Sequence, residues 1–233
     1  MSTLISNRKE FDSVEPQVPL GTALLILFGT AVGTIAVIAA VQTWLPAMGL
    51  SLAGTLPQAY WDLARSAGIA AYLLMWLSVM FGLIITNRMA RVWPGGPLAV
   101  DLHQFSSLLG LGMAVFHGLI LLGDQYIKYT LPQILIPFAS VNYKVVWVGL
   151  GQLAFYLLIP ITFSFYIRRQ IGASVWRAIH YVSFIAFSMV TVHGLLAGSD
   201  ATNPVVLGMY GMTGLSVVLM TLYRMTNMVR ATA

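Results

Sequence analysis

Six long apolar stretches constrain this chain more than any other feature: Leu20–Trp44, Ala67–Thr86, Val100–Leu122, Val145–Tyr166, Ser174–Leu196 and Val205–Leu222. A helix crossing the hydrocarbon core of a bilayer needs about 20 mainly apolar residues. Lipid offers no partner for backbone polar groups, so stretches of this kind cross as helices whose hydrogen bonds close internally. Composition agrees, because 58% of the 233 residues are hydrophobic and 8% are charged, whereas soluble domains are about a quarter charged. The sequence therefore predicts an all-α membrane protein, a six-transmembrane-helix bundle. Residues 1–18 read as a polar segment, 19–224 as the six-helix domain and 225–233 as a short tail. No soluble domain is expected at either end.

Orientation follows from the twelve Lys and Arg residues, since cytoplasmic loops carry the excess of positive charge. An N-terminus inside groups Arg8, Lys9, Arg88, Arg91, Arg168, Arg169, Arg177, Arg224 and Arg230, leaving Arg65, Lys128 and Lys144 opposite. Nine against three predicts cytoplasmic N- and C-termini and a multi-pass protein of a plasma membrane, the bacterial inner membrane. The pI near 9.6 reflects this asymmetry and membrane lipid as partner, and no nucleic-acid signature accompanies it. The first stretch is too long, and its mixed-charge lead is wrong, for a cleaved signal peptide. The segment Leu131 to Phe138 is apolar but too short to span, so it is expected in the interface or folded over the mouth of the bundle. Tyr60, Trp61, Tyr143 and Trp147 fall near the outer boundary, where aromatic rings serve as anchors.

The four histidines of the chain occur as two pairs, His103 with His117 in the third stretch and His180 with His193 in the fifth. At about 1.5 Å per residue, spacings of fourteen and thirteen separate the members of each pair by roughly 20 Å along their helices. Both stretches run in the same direction, so each depth holds one imidazole from each. Two imidazoles are too few for a closed zinc site but make a complete axial set for a six-coordinate haem iron. Ionisable residues within a membrane are functional by default, although each histidine alone could be a packed residue bonded to a neighbouring helix. With no cysteine in the chain, covalent c-type attachment, thiolate ligation and iron–sulfur clusters are excluded. Two non-covalent haem b groups are expected between helices 3 and 5: an inner one held by His103 and His180, an outer one by His117 and His193.

Helical phase complicates the fifth stretch. At about 100° per residue, fourteen residues return close to the starting face while thirteen leave the second side chain about 140° away. Either this helix bends between His180 and His193, or the haems approach it from different sides. Gly110 sits midway between the histidines of the third stretch, where it either leaves room between cofactors or packs against a helix. Phe116, Phe184 and Phe187 lie between the two levels, chiefly as apolar filler. The glycines of His117-Gly118 and His193-Gly194 either admit a flat ring system close to the backbone or serve helix contacts. Haem propionates call for cationic partners. Arg91 and Arg177 are the inner candidates, chosen from the group that also includes Arg88, Arg168 and Arg169. Arg65 breaks the charge bias and is the outer candidate, for a propionate or an acceptor, with a salt bridge to Asp62 as the alternative because positions three apart meet on a helix.

From Asp62 to Asp200 these residues resemble the ferric reductase transmembrane family, which includes the membrane domain of NADPH oxidases and the haem subunit of the bacterial periplasmic methionine-sulfoxide reductase. The carriers are Ala64-Arg65-Ser66-Ala67, His103-x13-His117, and His180-x12-His193 followed by Gly194. The resemblance implies two stacked b haems on these histidines, a place near the outer haem for Arg65, and electron flow from a cytoplasmic flavin to an outer acceptor. Relatives with their own flavin domain continue past the membrane region. Here the chain stops at Ala233 without a G-x-G-x-x-G segment, so the donor is expected to be a separate flavin-containing reductase or another reductant, and a periplasmic protein is among the candidate acceptors. Leu121 stands where the oxidases carry an additional outer histidine, and His103 fills a position that the sulfoxide-reductase subunit need not keep as histidine.

The resulting expectation is a b-type transmembrane cytochrome, an oxidoreductase component. Two alternatives stay open: a haem-free transporter or assembly subunit that uses its intramembrane histidines directly, and a quinol-oxidising cytochrome b. The quinol motif Pro-Glu-Trp-Tyr is absent, and Pro160 is the clear proline inside a span, without the paired interruption that transporters show.

Overall fold

The computed structural model describes residues 15–48, 56–124, 126–141 and 143–232. Among them are seven α-helices: α1 (Leu20–Met48), α2 (Leu56–Thr86), α3 (Gly96–Ile120), α4 (Leu131–Leu135), α5 (Val145–Phe163), α6 (Arg168–Ala197) and α7 (Pro204–Thr232). All but α4 are long and apolar enough to cross a membrane. The chain is thus an all-helical, multi-pass membrane protein.

Local chemistry sets several boundaries. Pro97 stands in the first turn of α3 and Pro204 opens α7, where a missing N–H costs nothing. The Asn203 side chain accepts from the backbone N–H of Val205 at 2.9 Å, capping α7. Thr130 and Gln133 form a capping box around the short α4. Hydropathy places the start of the second span at Ala67, but the helical span begins at Ala59. The charges of Asp62 and Arg65 ended the apolar stretch without ending the helix, because they pair with each other across one turn at 3.2 Å. Similarly, α6 begins six residues before Ser174, at Arg168, and a left-handed glycine, Gly172 (φ 78°), breaks its first turn from the rest.

The bundle is organised around a gap. Two antiparallel helix hairpins, α2–α3 and α5–α6, each pack tightly within themselves, whereas α3 and α6 face one another without close packing. Helix α2 also touches α6, and α5 touches α3, so these two flank the gap. Helix α1 lies behind α3, and α7 lies behind α2 and α6. Helix α1 is apolar and exposed nearly all round, including Leu25, Phe28 and Ile35, as befits a helix whose outer surface meets lipid.

The segment from Leu131 to Phe138 folds back along α5. The Gln152 amide donates to the carbonyls of Gln133 (2.8 Å) and Ile134 (2.7 Å), its oxygen accepts from the N–H of Phe138 (3.2 Å), and the Tyr156 hydroxyl donates to the Leu135 carbonyl. Gln152 lies seven residues into α5, about 10 Å from its start. The segment therefore forms a side wall rather than a flat lid. Of the expected boundary aromatics, Trp147 remains exposed, but Tyr60 is buried and donates to the Ile38 carbonyl, and Tyr143 donates to the Ala197 carbonyl at 2.7 Å. Tyr60 thus ties α2 to α1, and Tyr143 ties the loop before α5 to the end of α6.

Candidate functional site

A cavity of about 720 Å³ runs along the gap between the hairpins, near the upper end of the range for single-ligand sites. One end is bordered by Trp61, Arg65 and Asp200, the other by Arg168, Arg177 and Arg224. All four histidines line it. His103 of α3 faces His180 of α6 with ring centres 5.8 Å apart and planes inclined by 57°. His117 faces His193 with centres 6.3 Å apart and planes at 77°. The pairing expected between the two helices is the pairing observed.

The hydrogen bonds settle which nitrogen is free. His117 Nδ1 lies 2.6 Å from the Ala64 carbonyl, His103 Nδ1 2.8 Å from the Ser78 carbonyl, and His193 Nδ1 2.8 Å from the Trp147 carbonyl. A carbonyl only accepts, so Nδ1 carries the proton in each, and the neutral ring keeps a lone pair on Nε2. His117 and His193 thus offer two acceptors at one level and cannot hydrogen-bond to each other. Such a pair suits an electron-pair acceptor placed between them. His180 differs: its Nδ1 is buried without a hydrogen-bond partner, and its ring stacks on Trp176 at 4.9 Å.

The bend considered for the fifth span is not between its histidines. Among residues of α6 only Gly172 departs from helical geometry, eight positions before His180, so the two imidazoles leave a continuous helix on different sides. Gly110 packs against α2, where an added Cβ would meet the Leu74 Cβ at 3.3 Å and the Met75 backbone at 3.6 Å. Gly194 leaves room for the Tyr210 ring, and Gly118 makes an ordinary approach to Ile134. Phe187 stacks on Tyr72 within the core shared with Tyr210 and Val217, Phe116 packs with Tyr60, Ala64 and Ile120, and Phe184 alone of the three phenylalanines borders the cavity.

The arginines divide. Arg177 borders the cavity at the His103 end, whereas Arg91 lies exposed in a short turn (Met89–Arg91) away from it. Arg168 is the buried cation of that end, 4% exposed, donating to the Phe165 carbonyl at 2.9 Å with its guanidinium 4.1 Å from the Phe165 ring centre. At the opposite end Arg65 borders the cavity, but its guanidinium grips Asp200 (Nε–Oδ2 2.7 Å, Nη2–Oδ1 2.6 Å) as well as Asp62. The alternative weighed for Arg65, a bridge to Asp62, is present, and the tighter bond to Asp200 joins residues too distant in sequence for helical spacing to reveal.

Among the described residues no group of three or more His, Cys, Asp or Glu side chains gathers around a point, so the facing imidazole pairs are the available donor sets. Comparison with known proteins finds no matching family model, no similar curated protein and no similar solved structure.

Proposed function

We propose that this protein is a two-haem b-type transmembrane cytochrome that moves electrons between a donor at the His103/His180 end and an acceptor at the His117/His193 end. One observation carries the reading: two imidazole pairs face each other across a single cavity at ring-centre separations of 5.8 and 6.3 Å. Two metal–nitrogen bonds of about 2 Å each separate facing nitrogens by about 4 Å, and adding the depth of both rings brings their centres to about 6 Å. The donor chemistry fits at His103, His117 and His193, since neutral Nε2 atoms backed by Nδ1–H bonds to carbonyls are the usual state of metal-ligating histidine.

When bound, haem supplies the one-electron chemistry, and the protein supplies ligation, orientation and dielectric. His103 and His180 would hold the inner group, and His117 and His193 the outer. Arg168 and Arg177 place positive charge at the His103 end, where anionic propionates would need it. Arg65 is assigned instead to joining α2 with the segment after α6. The apolar helices α1 and α7 behind the hairpins keep water from the cavity walls. With positive charge read as cytoplasmic, the inner pair faces the cytoplasm of a bacterial inner membrane and takes electrons from a flavin-containing reductase or similar donor. The ferric reductase-like resemblance implies this same direction.

Absorption spectroscopy of the full chain purified from haem-sufficient cells tests the proposal. Reduced-minus-oxidised spectra should show b-type bands, with two haems per chain by pyridine haemochrome. Colourless protein that binds divalent metal instead would overturn it in favour of direct use of the histidines.

A further inference from the structure

Three of the four histidines dock on their neighbouring helix in one repeated way. The carbonyl that accepts from Nδ1–H belongs to Ala64, Ser78 or Trp147, and in each case the residue four positions later is glycine: Gly68, Gly82 and Gly151. An added Cβ at Gly68 would lie 3.0 Å from the His117 ring, at Gly82 3.4 Å from the His103 ring, and at Gly151 2.6 Å from the His193 ring. Helix geometry explains the recurrence. Every Cα–Cβ bond tilts toward the N-terminus, so a side chain covers the turn before its own Cα and shields the carbonyl four residues back. Glycine removes that shield. The carbonyl, already bonded within the helix, then has a lone pair open to a ring from the next helix.

The spacing of the notches matches the spacing of the rings. Gly68 and Gly82 are fourteen residues apart on α2, as His103 and His117 are on the antiparallel α3. Thirteen residues beyond Gly151 the chain reaches Ser164, the residue just past the end of α5, and no glycine lies between them. His180, the histidine for which α5 offers no such opening, is the one whose Nδ1 lacks a partner.

We infer that Gly68, Gly82 and Gly151 are positioning residues, each opening a carbonyl that fixes the tautomer and tilt of one imidazole, so that the His117/His193 level is keyed on both sides and the His103/His180 level on one. The consequence for cofactor binding rests on the haem reading; the tautomers do not.

Two measurements on the purified full chain test this. In histidine-labelled protein from haem-deficient cells, ¹⁵N spectra should show the Nδ1–H tautomer at His103, His117 and His193, and Gly151→Ala should remove the His193 signal. In the same protein titrated with haemin, Gly151→Ala should weaken binding at the His117/His193 level on the order of 10–100-fold, the usual cost of losing a ligand's hydrogen-bond partner. Gly68→Ala should weaken the same level by less, Gly82→Ala should spare that level and weaken the His103/His180 level, by the least of the three because its added Cβ comes no closer than 3.4 Å to the His103 ring, and Gly211→Ala, where an added Cβ meets nothing within 4 Å, should change nothing. Unaltered tautomers in both Gly151→Ala and Gly68→Ala overturn the inference, as does equal weakening of the two levels, which is what a general packing defect would cause. Wild-type protein with the three Nδ1–H tautomers but no uptake of haemin overturns the haem reading and leaves the notches standing. Should Gly151→Ala fail to accumulate, Gly68→Ala, with the smaller overlap, decides.

Discussion

Arg65 grips Asp200 through two parallel bonds, Nε to Oδ2 at 2.7 Å and Nη2 to Oδ1 at 2.6 Å, joining the first turns of α2 to the segment that links α6 and α7. Paired geometry of this kind is the strong form of a charge-assisted hydrogen bond. Partial exposure of both side chains, 38% and 27%, moderates it. Replacing Asp200 with Asn should therefore destabilise the protein by about 1 kcal/mol, the upper part of the range for exposed pairs. Asp62→Asn, which loses a single 3.2 Å contact from a side chain 63% exposed, should cost less. Thermal unfolding in detergent at low and high salt checks both, and the Asp200 effect should shrink at high salt.

The wall formed by Leu131 to Phe138 is held chiefly by Gln152, with the Tyr156 hydroxyl adding one bond to the Leu135 carbonyl. Gln152 makes three hydrogen bonds to its backbone, two by donation and one by acceptance. Interhelical hydrogen bonds in membranes average about 0.6 kcal/mol each, so Gln152→Leu should loosen this segment by about 2 kcal/mol. Hydrogen exchange should report faster opening of residues 131–138 with little change in α2. Equal exchange in wild type and variant would show that packing alone, including the Phe138 ring set against Gly149, holds the wall.

The number of spans, and the direction and partners of the histidine-bearing helices, are legible in the sequence because hydropathy and the spacing of a rare residue type are one-dimensional signals. Helix starts were less so: Asp62 and Arg65 look like an interruption until their pairing is seen. The Asp200 partner of Arg65 is 135 residues distant, beyond any periodicity. The glycine notches lay between these extremes. Gly68 and Gly82 repeat the spacing of His117 and His103, but glycine is so common in membrane helices that the match carries meaning only once the carbonyls are seen to face the rings. Arg168 was one of five cationic candidates at its end, and only burial separates it from Arg91, which side-chain charge cannot.

The buried hydroxyl of Tyr72 bonds Thr213 at 2.6 Å and holds α2 against α7 between the two histidine levels, with Phe187 stacked at 5.7 Å on its ring. Tyr72→Phe keeps the ring and removes the bond. Thr213 retains its bond to the Met209 carbonyl, so no orphan is left, and the loss should be about 1 kcal/mol. Tyr72→Ala should cost about 3–5 kcal/mol by leaving a cavity. Thermal unfolding of the two variants checks the difference, and a Tyr72→Phe loss as large as that of Tyr72→Ala would contradict it.

Outside the spans, burial raises the phenols of Tyr129 and Tyr143 above their ordinary value near 10. A raised pKa in the folded state means that the contribution of these groups to stability is complete below pH 10 and is lost as pH climbs through the raised value. The Tyr143 bond to the Ala197 carbonyl should thus survive to strongly alkaline pH. Phenolate absorbance should show tyrosines titrating late in the folded protein, and Tyr143→Phe should remove part of that late phase.

Histidine replacements separate the two levels. Each level has one histidine from α3 and one from α6, so under the proposed two-haem function losing either member should break that level while the other, about 20 Å away along the helices, keeps both. His117→Ala and His193→Ala should each leave about one haem per chain, still reducible from the His103 end, with outward electron delivery abolished. His103→Ala and His180→Ala should leave the outer haem bound but cut off from the donor. Because His117 and His193 are each fixed by a carbonyl at 2.6 and 2.8 Å, whereas His180 is not, the remaining outer haem should resist stripping by apomyoglobin better than the remaining inner one. Haem content, reduction kinetics and stripping rates of the four variants check this. Equal loss of both haems from every variant would mean that the four imidazoles serve one site and not two.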